Sequence, residues 1–160
     1  MKPTILAFLL SASLALAGDR ISFQKLPPGD SIHVAFTSFG CFHYLAYEFD
    51  FERAATITAK VTQLERWNEA QKRQKKVGRI PLGTVKLSEA EIAGLDRLFA
   101  FYRSKKPDGC TTVDRIIATQ NSGGTVKATE SFSDGTCATY KMKNLTLLTT
   151  IAAKLAPNSK

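Results

Sequence analysis

The sequence predicts an α+β domain: an antiparallel sheet of about five to seven strands with two helices packed on one face. Three observations carry this reading. Residues 20–65 alternate between apolar and polar side chains with the period of strands. A helical repeat opens at Ser88 on a strong start signal. A strand-turn-strand pattern then surrounds Asn121-Ser122-Gly123-Gly124, ahead of a second helical stretch.

Met1 to Ala17 reads as a secretion signal. Lys2 gives the positive start, Ile5 to Leu16 is apolar apart from small residues, and Ala15-Leu16-Ala17 offers a small-x-small cleavage site. A membrane anchor needs about 20 apolar residues; this run is shorter and stops at Gly18-Asp19-Arg20. A lipoprotein would carry a cysteine after the cut, but the first cysteine is Cys41. The expected mature protein is residues 18–160, one domain without a membrane span, in a periplasm or outside the cell. A chain of that size buries roughly 68% of its unfolded surface.

Pro27-Pro28-Gly29-Asp30 marks a turn before the first clear alternation, with Ile32, Val34 and Phe36 on one face. From Phe42 to Phe51 the run is aromatic. Cys41, His43, Leu45, Tyr47, Phe49 and Phe51 share the expected core face, and Phe42, Tyr44, Ala46, Glu48 and Asp50 share the other. Residues 55–64 add a third β-favouring stretch, making a three-stranded meander.

Residues 66–80 break the pattern. Arg66, Lys72, Arg73, Lys75, Lys76 and Arg79 concentrate positive charge around the single Trp67. We expect a protruding arm, either a solvated segment or a contact site in which Trp67 anchors Lys72, Arg73, Lys75, Lys76 and Arg79 to an anionic partner.

Ser88 and Glu91 then form a capping box, flanked by Leu87 and Ile92 as a hydrophobic staple. Ile92, Leu95, Leu98, Phe99 and Tyr102 supply the buried stripe. Lys105, Lys106 and Pro107 end the helix. Residues 111–120 and 125–133 form the hairpin, with Asp114 expected at the surface. Asn144 to Ala156 reads as the last helix, capped by Asn144 and stopped by Pro157.

The three cysteines, Cys41, Cys110 and Cys137, leave one thiol over if a disulfide forms on export. With Gly123-Gly124 at the centre of the turn and an unbroken register, Cys110 and Cys137 stand directly opposite, at a separation a disulfide bridges. That crosslink would contribute about 3–4 kcal/mol in the chain-entropy treatment. Pairing of Cys41 with either partner stays open. If Cys41 is unpaired, its neighbour His43 makes it a candidate thiol–imidazole dyad or part of a metal site. Two ligands fall short of the three or four that zinc requires.

The Ser38 to His43 strand, the helix ending Phe101-Tyr102-Arg103, the run Cys110 to Asp114, and Asp134 to Cys137 together resemble small exported bacterial domains of unknown function. That resemblance covers most of residues 32–156 and brings no activity with it.

The chain has 22 basic and 14 acidic residues, a net charge of +8, and loses only Lys2 with the signal, leaving +7. Such an excess favours anionic partners. Export and the single tryptophan argue against nucleic acid. There is no glycine-rich phosphate loop, no metal quartet and no nucleophile elbow, and nothing calls for a cofactor. The expected function is that of an exported, non-catalytic, inhibitor-like binding protein for an acidic protein or an anionic envelope polymer. The alternatives are an enzyme centred on Cys41 and His43, or a structural envelope component.

Overall fold

The computed structural model describes residues 20–40, 44–64, 78–104, 113–135 and 147–155. These residues form a mixed α+β fold. The elements run β1 (Ser31–Phe39), β2 (Tyr44–Arg53), β3 (Ile57–Leu64), β4 (Arg79–Lys86), α1 (Glu89–Ser104), β5 (Val113–Ser122), β6 (Thr125–Asp134) and α2 (Leu147–Ala153). One antiparallel sheet of six strands holds them in the order β4-β3-β2-β1-β5-β6.

The expected meander is β1-β2-β3, and its register explains the core. Phe49 lies between Val34 and Val61, and Phe51 between Ile32 and Ala59. All six side chains are fully buried, at 0% exposure. Each buried phenylalanine is worth about 1.5–3 kcal/mol in transfer free energy. Phe49 and Phe51 stack at 5.8 Å, and Phe23 meets Phe51 and Phe99 edge-on at 5.0 and 5.1 Å. The alternation fails toward the start of β2. There Leu45 is 36% exposed while Ala46, on the opposite face, is buried.

Three sequence expectations change. Residues 20–30 are turns and extended chain rather than strand, yet Ile21, Phe23 and Leu26 enter the core. Arg79 and Ile80 do not belong to an arm; they open β4, which pairs with β3. Pro81 and Gly83 disguise that strand. A β-bulge shifts the pairing between Val61 and Thr62, opposite Gly83, whose φ of +132° suits glycine. β4 is an edge strand, where a proline's missing donor is tolerated. Asp114 is the third change: it is buried, at 8% exposure, rather than at the surface.

α1 begins as expected. The Ser88 backbone N–H and hydroxyl donate to Glu91 Oε2 at 2.9 and 2.8 Å, and the Glu91 N–H donates back to Ser88 Oγ at 3.3 Å. Leu87 and Ile92 are both buried beside the cap. Leu95, Leu98, Phe99 and Tyr102 bury the predicted stripe. α2 contributes Leu148, Ile151 and Ala152 to the same apolar cluster. It comes close to α1 at Gly94, where a Cβ would lie 2.8 Å from Leu147 Cδ2. Asn144 and Lys105 to Pro107 lie outside the described residues. Among the described residues no helix is long and apolar enough to cross a membrane.

The hairpin turn is as predicted, with Gly123 and Gly124 at φ 55° and 80°. Two successive positive φ values are what a two-residue type I′ hairpin turn requires. A bulge between Gln120 and Asn121 then moves the pairing by one residue, so Asp114 faces Asp134. The unbroken register that would set Cys110 against Cys137 is therefore not kept in the described part of the hairpin. Both cysteines lie outside it.

Candidate functional site

Three polar groupings stand out, each built by a different element. One is a cleft of about 500 Å³ between the chain at residues 20–27, α1 and β5. Two polar clamps shape it. Asp96, on α1, accepts from the Phe23 N–H at 2.7 Å through Oδ1, and from the Gln24 N–H and Ser22 hydroxyl at 3.0 and 3.1 Å through Oδ2. Its carboxylate is fully engaged in holding the incoming chain. Arg103, two turns further along, donates to both oxygens of Glu130 at 2.9 and 2.6 Å and to the Ile21 carbonyl at 2.6 Å. It also lies over the Phe99 ring at 5.8 Å. This fork-to-fork geometry suits guanidinium and is shielded on both sides, at 21% and 16% exposure.

The lining of the cleft carries three cations, Arg20, Lys25 and Arg103, against one carboxylate, Asp96. Arg20 and Lys25 are exposed. Among the described residues neither takes part in an ion pair. Gln120 and Pro27 complete a wall of mixed character.

The second grouping crosses the sheet face that carries His33. His33 Nδ1 lies 2.7 Å from Asp50 Oδ1, and both side chains are nearly half exposed. Against a carboxylate, Nδ1 is the donor. Thr119 flanks His33 on β5, and Lys60 flanks Asp50 on β3. One row over, Arg79 forks onto Glu48, with Nη1 to Oε1 at 3.0 Å. Arg79 was expected at an arm contact site; its charge is instead committed to this pair.

The third grouping is a buried row at one end of the sheet. Ser38 faces Asp114 on β5, and Asp114 faces Asp134 on β6. They are 5%, 8% and 3% exposed. Two carboxylates and a hydroxyl in line are the raw material of acid–base chemistry or cation binding. Among the described residues no three groups of histidine, cysteine or acid type gather to hold a metal.

Cys41, His43, Trp67, Lys72, Arg73, Lys75, Lys76, Cys110 and Cys137 lie outside the described residues. What sequence reasoning missed is Asp96, Arg103, Arg20 and Lys25. Their partners are more than 70 residues away for Asp96 and 82 for the Arg103–Ile21 contact. No local pattern encodes such a distance. No family model and no curated protein matches this chain, so the cleft and its charges stand on geometry alone.

Proposed function

We propose that this protein is an exported, non-catalytic binding protein, inhibitor-like in kind, whose partner is an acidic protein or an anionic envelope polymer. The observation that carries the reading is the excess of cations. The chain holds 22 basic residues to 14 acidic, and the described cleft adds two cations outside any ion pair, Arg20 and Lys25, against the single carboxylate of Asp96, with Arg103 balanced by Glu130. Opposite charge speeds encounter and selects among partners. In this reading the signal ends at Ala17, and the mature protein works in a periplasm or outside the cell. A disulfide between Cys110 and Cys137 and the basic segment around Trp67 belong to the same reading. So does the packing of α1 and α2 on a single face, which their shared apolar cluster supports. The opposite face, with His33, Ala35 and Thr37 half-buried, is then left to solvent or a partner.

The test is retention of the purified protein on carboxylated and on neutral resin across a salt series. Retention on the carboxylated resin alone, lost as ionic strength rises, is expected. Equal behaviour on the two resins overturns the reading. Changing Lys72, Arg73, Lys75 and Lys76 to Gln in the same assay measures the share of the basic segment.

A further inference from the structure

We propose that the cleft between residues 20–27, α1 and β5 is a binding site for an acidic peptide segment of a partner protein. The proposal rests on the reading that the partner is anionic, and it assigns the place and the chemistry.

The argument begins with charge that is already spent. Both oxygens of Asp96 are occupied by Ser22, Phe23 and Gln24. The Nε and Nη2 groups of Arg103 are held by Glu130 and the Ile21 carbonyl. What the cleft still offers is the Arg20 guanidinium, the Lys25 ammonium and the remaining Nη1 of Arg103. These are three donor groups without a described acceptor, around a space of about 500 Å³. That volume falls within the range of about 300–1,000 Å³ typical of ligand sites. The two clamps fix the walls without a ligand, so the ordering cost of binding falls on the Arg20 and Lys25 side chains rather than on the backbone.

The rest of the lining favours peptide over polysaccharide. Gln120 offers an amide that can pair with a peptide group, and the exposed Pro27 offers apolar contact. Among the described residues no aromatic side chain lines the cleft, and sugar rings are commonly held on aromatic faces. Carboxylates of Glu or Asp side chains match guanidinium and ammonium donors directly.

Fluorescein-labelled hexaglutamate, hexaglutamine and hexagalacturonate are titrated against the purified protein, with inorganic phosphate as an unlabelled competitor. The same series is run on two charge-matched variants. One is Arg20→Gln with Lys25→Gln. The other is Lys60→Gln with Lys86→Gln, exposed positions on β3 and β4. All four positions are at the surface, so unfolding midpoints should stay near that of the parent. Hexaglutamate should bind and hexaglutamine should not. The cleft variant should weaken hexaglutamate by about tenfold and the control by less than about threefold, on the scale of exposed charge contacts. Equal weakening by the two variants overturns the cleft assignment and leaves the anionic-partner reading standing. No binding of any anion overturns both. Tighter, cleft-dependent binding of hexagalacturonate, or full competition by phosphate at equal concentration, overturns the assignment to peptide.

Discussion

The two faces of the sheet use the same backbone and opposite chemistry. On β1, Ile32 and Val34 are fully buried and Phe36 is 4% exposed, while His33, Ala35 and Thr37 between them stay half-buried. The buried side is joined by rings: Phe23, Phe49, Phe51, Phe99 and Phe132 form a connected series of edge and stacked contacts. The other side is joined by charge, through His33–Asp50 and Glu48–Arg79. Apolar burial scales with area and is not subject to charge screening, whereas exposed ion pairs are weak and screened. Stability therefore sits on one face. Residues on the other face are free to change without unfolding the protein.

The sharpest way to break that contrast is Phe49→Ala. Removing a fully buried ring should cost about 3–5 kcal/mol, read from the urea midpoint at constant slope. A cost near that of a surface change would erase the distinction. Asp96→Ala comes next. It strips the acceptor from two backbone N–H groups at the rim of the buried side, and should cost about 2–3 kcal/mol. Hydrogen exchange should rise first at Phe23 and Gln24.

Glu91→Ala should cost about 1 kcal/mol at neutral pH, the worth of a cap. Partial burial opposes ionisation of Glu91. The hydrogen bonds from the Lys154 ammonium and from the Ser88 backbone and hydroxyl outweigh it, so the carboxyl titrates below its ordinary 4.5. A lowered folded value means the stabilisation is complete above the unfolded value and is lost as pH falls through the folded one. The gap between parent and variant should narrow only below about pH 4.5. A gap that narrows at higher pH would show that the pair with Lys154 does not form. The smallest effect belongs to the open face: Glu48→Ala should change stability by about 0–1 kcal/mol, and a double-mutant cycle with Arg79→Ala should show a coupling in that range.

Legibility in the sequence followed the range of each interaction. α1 could be read because Ser88, Glu91, Leu87 and Ile92 signal within five residues of one another. β1 could be read because its alternation is unbroken from Ile32 to Phe36. β4 could not, because Pro81 and Gly83 suppress the strand pattern and only pairing with β3 reveals it. The burial of Asp114 depends on its neighbours Ser38 and Asp134, from two other strands. The bulge at Gln120 leaves no composition signal, yet it changes every partner beyond it. The cleft was the least legible feature. Asp96 sits beside Leu95 in the apolar stripe and looks like an ordinary helix-surface acid until Phe23 arrives from elsewhere in the chain.

That arrival has a consequence for the order of events during maturation. Among the described residues Ile21 is the first in the core, and in the proposed route cleavage falls after Ala17. Four residues of extended chain reach at most about 14 Å. A precursor still held by its signal would have to seat Ile21 and Phe23 against α1 within that distance of the bilayer. If the leader is cut there as proposed, closure of the domain would be a step that follows processing.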